Sequence, residues 1–335
     1  MGYIPPFSIT EEMLAYVSAI SEKVGRFPLR GAATRKPYLR RSRIRSLHAS
    51  LRIEANSLSL GQVEDVLDGK QVMGDREDIL EVKNAYAAYE QIGRADPYSL
   101  DELKRVHGIM TAGLMDESGA FRSGEEGVFS GGKCVFMAPP ARLVASHMED
   151  LFEWIASAKK SLHPLLLSSV FHYELVFIHP FADGNGRMAR LWQTMLLARW
   201  KPVFAYLPIE SKIESFQADY YDAISACNSA GNSDAFIAFM LRQIDAALAE
   251  AARDFSAVPP RALRLAEAME YGVSYSAAEL MARLGLRSRS SFSVHYLRPA
   301  LDAGVIEMTV PDKPTSREQR YMKCNSQFII HNSQL

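Results

Sequence analysis

Apolar residues recur at three- and four-residue intervals along most of this chain, a pattern that predicts helix after helix. After Pro5 and Pro6, Ser8 or Thr10 can cap a helix whose Met13, Leu14, Val17, Ile20 and Val24 fall on one face. Ile44, Leu47, Leu51 and Leu58 outline a second helical stretch from Ile44 to Leu60, and the same spacing predicts helices over 76–92 and 100–114. Between Gly119 and Pro140 the period changes. Glycines there punctuate two short runs, Val128-Phe129 and Cys134 to Met137, which predict a small hairpin. Helical spacing resumes over 141–159, 165–178, 185–200, 217–230 and 234–254. The longest apolar run, Pro164 to Ile178, is interrupted by Ser168, Ser169, His172 and Glu174 and falls short of the roughly 18 residues a membrane span needs. It predicts a buried core helix, and no membrane association is expected.

Ser256 to Pro260 must stop a helix, because two prolines end the run, and different logic follows. Ser276 and Glu279 form a capping box for a short helix ending near Gly285, and another helix is predicted from Ser290 to Gly304. A strand over Val305 to Val310, a polar turn and a strand opening at Arg320 complete a winged-helix pattern. The predicted class is therefore mainly α, with a small hairpin and a C-terminal winged-helix domain. The expected domains are an N-terminal helical region over 1–99, a core over 100–255 and the winged helix over 259–335.

Composition narrows this only a little. With 48% hydrophobic and 23% charged residues, the 335-residue chain suits a soluble globular protein, and a net charge of −1 supplies no global field for nucleic acid. Cys134, Cys227 and Cys324 are odd in number and widely spaced, which argues against a disulfide framework and fits a reducing, cytoplasmic setting. The N-terminus carries no visible targeting signal.

Candidate chemistry concentrates in His179-Pro180-Phe181-Ala182-Asp183-Gly184-Asn185-Gly186-Arg187-Met188-Ala189-Arg190. Gly184-Asn185-Gly186 ahead of a helix offers backbone N–H groups to an anion, and glycine permits close approach. Arg187 and Arg190 lie three apart on one helix face, where both guanidiniums can reach polyphosphate oxygens. Asp183 among phosphate donors would repel the ligand unless a divalent cation bridged them, so Mg2+ is implied. His179, with an ordinary pKa near ~6.5, is the candidate general base, and Phe181 is expected to pack inward. There is no P-loop lysine and no H-E-x-x-H, so Walker-type NTPase and zinc-hydrolase readings fail.

This string resembles the H-P-F-x-[DE]-G-N-G-R-x-x-R signature of the Fic family at every defined position. His163-Pro164-Leu165, His172, Glu174 and the Pro202 to Ile209 segment are similar to that family too. The resemblance implies a Fic-type helical core that transfers AMP from ATP to a Ser, Thr or Tyr hydroxyl of a protein. His179 would take the hydroxyl proton, and Asp183 would hold Mg2+ on the α- and β-phosphates. The amides of Gly184, Asn185 and Gly186 would face the α-phosphate, Arg187 would take the γ-phosphate, and Arg190 would reinforce these contacts. The hairpin over about 124–137 would align the target segment. Ser50-Leu51-Arg52-Ile53-Glu54-Ala55-Asn56 resembles the family's inhibitory [ST]-x-x-x-E-[GN] helix, so Glu54 is expected to pair with Arg187 and block the productive nucleotide pose. Ala55 departs from that pattern, and Asn56 is expected to take the helix-ending left-handed conformation instead.

Other readings stay open. One is a DNA-binding regulator with a nucleotide-sensing core; others are a Fic enzyme that removes AMP or transfers another nucleotide. For the C-terminal module, docking or homodimerisation is favoured over DNA contact. Arg283, Arg287, Arg289 and Arg298 cluster near its second helix, but basic residues only modestly outnumber acidic ones over 259–335. The basic run Arg35, Lys36, Arg40, Arg41, Arg43 and Arg45 reads as a solvated face.

Overall fold

The computed structural model describes residues 3–26, 36–130, 133–256, 259–314 and 316–323. Arg35, Gly131, Gly132, Val258, Thr315 and Cys324 lie outside them. Two compact units emerge: the first takes 1–26 and 42–249, the second 27–41 and 250–335.

In the first unit, Thr10 Oγ1 accepts from Met13 N at 3.2 Å and so starts α1 (Glu11–Arg26). The helix α2 (Lys36–Ile53) stops earlier than its apolar pattern suggested, and α3 (Leu60–Leu67) begins afresh from a Ser59/Gln62 capping box. Between them, Asn56 N donates to Leu51 O and Ala55 N to Arg52 O, each at 3.1 Å, the paired bonds of a Schellman end. Ala55, not Asn56, takes the left-handed backbone, at φ 67°. Asn56 is held by its side chain instead: Nδ2 donates to Asp78 O and Glu81 Oε2, and Oδ1 accepts from Leu58 N.

The chain continues through α4 (Arg76–Tyr89) and α5 (Leu100–Met110) to an antiparallel hairpin, β1 (Gly127–Ser130) and β2 (Lys133–Met137). Then follow α6 (Ala141–Ala158), α7 (Pro164–Ile178), α8 (Asn185–Trp200), α9 (Ile209–Ser215), α10 (Gln217–Ala230) and α11 (Asp234–Ser256). Both α7 and α8 are buried along nearly their whole length. Leu166, Val170 and Phe171 from one and Met188, Leu191 and Trp192 from the other are at most 2% exposed. The loop between them is consequently clamped at both ends. No described helix is long and apolar enough to cross a membrane.

In the second unit, α12 (Pro260–Glu267), β3 (Ser274–Tyr275) and α13 (Ala277–Arg283) precede a longer helical run. That run is α14 (Arg289–Phe292), a π turn over Ser293–Leu297 and α15 (Arg298–Asp302). The strands β4 (Ile306–Met308) and β5 (Tyr321–Lys323) complete an antiparallel sheet of order β3-β5-β4. The Ser276/Glu279 capping box forms as its spacing predicted. Leu265, Leu280, Phe292, Ala300 and Ile306 close a core of their own.

Candidate active site

The site begins where α7 ends. His179 caps that helix in the left-handed region (φ 51°, ψ 59°), a conformation costly for any residue with a Cβ. Three contacts hold it there. His179 N donates to Leu175 O at 3.0 Å, and Nδ1 faces Val176 O at 3.2 Å. Arg122 Nε donates to His179 O at 2.7 Å. A carbonyl can only accept, so Nδ1 carries the ring proton and Nε2 keeps the lone pair. Burial pushes the His179 pKa below its ordinary value, which favours the neutral, proton-accepting ring at pH 7.

Phe181 packs inward as expected, fully buried and stacked on His107 with ring centroids 3.7 Å apart. His107 is itself fixed: Nδ1 accepts from Gly119 N, so Nε2 donates to Asp183 O, both at 3.0 Å. Burial lowers its pKa to about 4 and keeps it a neutral strut. Asn185 closes the loop from within. Its Oδ1 accepts from Phe181 N at 2.9 Å, and its Nδ2 donates to Phe181 O at 2.6 Å. The Asn185 side chain is thus spent on loop geometry, leaving its main-chain N–H for a ligand.

Gly184, at φ 80°, is the N-cap of α8 and supplies no capping side chain, so the first N–H groups of that helix have no side-chain acceptor at the cap. A Cβ at Gly184 would meet Thr111 Cγ2 at 3.2 Å. At Gly186 a Cβ would run into the Glu54 carboxylate and approach Arg190 Nη1 to 3.1 Å. Backbone sign calls for glycine at the first position, and at the second a side chain would displace the seated Glu54 carboxylate.

The two motif arginines are buried and divide their partners. Arg187 Nη1 donates to Glu81 Oε1 at 2.6 Å and Nη2 to Asp183 Oδ2 at 2.5 Å. Arg190 donates from Nε to Ser50 Oγ at 3.0 Å, and from Nη2 to Ser50 O at 3.1 Å and Glu54 Oε1 at 2.6 Å. The expected Glu54–Arg187 pair is therefore corrected to Glu54–Arg190. The reason is packing: Ser50 and Glu54, one turn apart on α2 and its end, meet the second arginine, while Glu81 of α4 occupies the first. Asp183 stays 60% exposed, and its pKa is lowered by the Arg187 guanidinium against the upward pull of burial.

A cavity of about 690 Å³ opens beside the loop, within the size range of small-molecule sites. His179, Gly186, Arg190 and Glu54 line it on one side. Tyr220, Tyr221, Ser225 and Asn228 of α10 line the other, and sequence reasoning had not singled them out. Their signal was weak: Tyr221, Ser225 and Asn228 recur at i, i+4, i+7 on a helix otherwise unremarked. Behind this wall His172 links three helices, with Nδ1 on Gln193 Oε1 at 2.5 Å and Nε2 on Tyr220 OH at 3.0 Å. Arg122 was also missed. Besides holding His179 O, it donates to Gly124 O and Pro139 O on the two legs of the hairpin.

No described cluster of three His, Cys, Asp or Glu side chains could hold a metal by itself. A single exposed carboxylate beside orphan helix N–H groups does suit Mg2+ that arrives on phosphates, because that ion keeps most ligands from water and substrate. Asp183 fits that role.

A buried helix pair joined by a rigid loop, with the loop's histidine and an arginine opening into one cavity, defines a Fic-type protein. The Fic/DOC family profile matches residues 97–197, and that of the Filamentation induced by cAMP protein Fic-like, C-terminal domain, matches 261–322. A crystal structure of a Fic family protein from Desulfovibrio desulfuricans G20 is 42% identical with a TM-score of 0.72, covering 97% of this chain and 99% of that one. The chain belongs to the Fic family. It is also similar to the protein adenylyltransferase Fic of Nematostella vectensis, 26% identical over 72% of this chain and 57% of that protein. The protein adenylyltransferase Fic of Culex quinquefasciatus is 31% identical over 59% of this chain and 39% of its own length. The match thus spans well under two thirds of these relatives.

Proposed function

We propose that this chain is a protein adenylyltransferase that moves AMP from ATP to a Ser, Thr or Tyr hydroxyl of a target protein, in a self-inhibited ground state. The observation that carries the reading is the sharing of one cavity by the His179 ring, Gly186 and Arg190, with Glu54 seated on that arginine. The adenylyltransferase relatives support the reaction class.

The target hydroxyl oxygen attacks the α-phosphorus, and the bond from that phosphorus to the bridging oxygen of the β-phosphate breaks. Pyrophosphate leaves with that electron pair, and the hydroxyl proton passes to His179 Nε2. The N–H groups at the start of α8 face the growing charge without reorganisation. Arg190 takes the terminal phosphate once Glu54 has vacated it, and Arg187 secures Asp183. Asp183 would hold Mg2+, which supplies charge neutralisation on the phosphates when bound. The tyrosines and Asn228 of α10 offer aromatic and amide surface to the nucleoside. The buried free thiol of Cys227 supports a reducing compartment, and the cytoplasm is the proposed location.

ATP labelled on the α- or γ-phosphate tests the reading, using a Glu54→Gly variant with cell lysate as target. Protein should take up the α label, and His179→Ala should abolish the uptake. Uptake of γ label alone would make the protein a kinase.

A further inference from the structure

A buried carboxylate that the proposed reaction does not use lies behind Arg190. Glu210, in the first turn of α9, is 1% exposed, and among the described residues no lysine or arginine bonds it. Such a group is costly unless another charge answers it. Its donors are hydroxyls: Tyr89 OH, at the end of α4, reaches Glu210 Oε1 at 3.0 Å, and Thr194 Oγ1 of α8 reaches the same oxygen at 3.3 Å. Tyr89 is also bonded to the Ser50 side chain, and Ser50 Oγ accepts from Arg190 Nε at 3.0 Å. Four side chains from α8, α2, α4 and α9, each at most 2% exposed, thus run in one line from a cation to an anion. The direction of that line is fixed at its charged end. A guanidinium N–H can only donate, so Ser50 Oγ accepts and turns its own hydrogen to Tyr89, and Tyr89 gives its single hydrogen to Glu210. A chain so ordered ends on an ionised acceptor and polarises along its length. Burial raises the Glu210 pKa, against the pull of Ser46, Tyr89 and Arg190.

We propose that Glu210 is a second counter-charge for Arg190, acting through Ser50 and Tyr89, and that it keeps the Glu54–Arg190 latch weak enough to open. The inference rests on the self-inhibited reading above and extends it, since Glu54 alone then does not set the strength of inhibition. The two carboxylates differ in kind. Glu54 touches the guanidinium and is 33% exposed at its side chain, so it can leave, whereas Glu210 is buried and stays. With Glu210 ionised, Arg190 is partly neutralised before any nucleotide arrives, and release of Glu54 does not strand a bare buried cation. Ser50 adds its carbonyl, which accepts from Arg190 Nη2 at 3.1 Å, so the guanidinium keeps its place as Glu54 departs. Glu210 lies off the cavity lining and acts through other side chains, which makes it a positioning residue.

The full chain, Glu54→Gly, Glu210→Gln and the double variant form a cycle that tests this, read by thermal melting without nucleotide and by self-modification with α-labelled ATP. With Glu54 present, Glu210→Gln should cut self-modification roughly three- to thirtyfold, because the latch becomes the one anion on the guanidinium. In the Glu54→Gly background the same change should instead lower half-saturating ATP by about threefold or more, since the triphosphate is then the first counter-charge to arrive. Melting of the double variant should fall below the sum of the two single shifts and recover with ATP. Should Glu210→Gln not fold, Tyr89→Phe cuts the line at nearly constant shape and should give the same signs at smaller size. Effects that add across the cycle, weaker ATP use in both backgrounds, or a Glu210→Gln protein identical to its parent would each overturn the inference. A non-additive melting cycle in a protein that transfers no label would keep the Glu210–Arg190 coupling and remove the adenylyltransferase reading.

Discussion

Glu54 Oε1 lies 2.6 Å from Arg190 Nη2, joining the end of α2 to the second turn of α8 at the wall of the cavity. Arg190 is 1% exposed at its side chain and Glu54 33%, so the carboxylate is the partner that can leave. A charge-assisted bond of this kind contributes about 1.5–3 kcal/mol. Glu54→Gly should therefore raise self-modification by roughly ten- to a hundredfold at matched ATP and Mg2+. The same variant leaves a buried guanidinium unpaired, so its melting temperature should fall without nucleotide and recover with it. An unchanged rate sinks the inhibitory assignment.

Ala55 tunes that latch. Its left-handed backbone costs roughly 1–2 kcal/mol that glycine would not incur, offset in part by the greater freedom of glycine when unfolded. Ala55→Gly should stabilise the fold by about 1 kcal/mol and lower basal activity roughly fivefold, because the relieved strain belongs to the inhibited state. Thermal melts and self-modification rates check both signs. A more active Ala55→Gly protein would mean the turn does not report on the latch.

Protonation should act in one direction. His179 works as a base only when neutral, and burial lowers its pKa, so activity in a Glu54→Gly background should persist below the ordinary histidine value of ~6.5 and fall at still lower pH. Stability should follow a related course. His107 and His172, lowered by burial to about 4 and about 3, stay neutral in the fold while the unfolded chain takes up protons near ~6.5. Their contribution is complete above that pH and is lost as pH falls from there towards 4 and 3. Melting temperature against pH, with His172→Gln as comparison, reads this directly.

Much of this architecture was legible because its signals are local. The hairpin glycines, the Ser276/Glu279 box and the periodicity of α7 and α8 each act within a few residues, and each forms where its pattern lies. Asn185 and Phe181 were recognisable as loop residues for the same reason. Arg122, Glu81 and His107 were not, since each reaches the motif across 57 or more positions through tertiary packing that leaves no period in the chain. The choice between Arg187 and Arg190 failed similarly. Their spacing specifies a shared helix face, but only the arrival of α4 decides which arginine remains for Glu54.

Arg122 predicts a separable defect. It is 3% exposed and binds His179 O together with Gly124 O and Pro139 O, so it fixes the hairpin against the catalytic loop. Arg122→Lys cannot satisfy three carbonyls spread around a planar guanidinium. In a Glu54→Gly background this variant should lose transfer to protein targets at least tenfold, while nucleotide affinity by calorimetry changes little. Equal losses in both would place Arg122 in the general stability of the fold rather than in target alignment.

Glu81 offers the sharpest test of how the first arginine is used. Arg187 is buried between Glu81 and Asp183, and Glu81 also accepts from Asn56 Nδ2 at 2.8 Å, tying the end of the latch to the same carboxylate. With Glu81 present, the guanidinium stays neutralised when Asp183 turns to a metal. Glu81→Gln keeps the shape but removes the charge, leaving Asp183 as the only acid on Arg187. Breaking one arm of such a buried pair costs about 3–5 kcal/mol at most, less here because Asp183 remains, so melting should drop by several degrees. Asp183 would then be held harder by Arg187, and half-saturation by Mg2+ at fixed ATP should rise several-fold. A Glu81→Gln protein that melts lower yet keeps its Mg2+ requirement would show that Asp183 and Arg187 are not in competition with the metal.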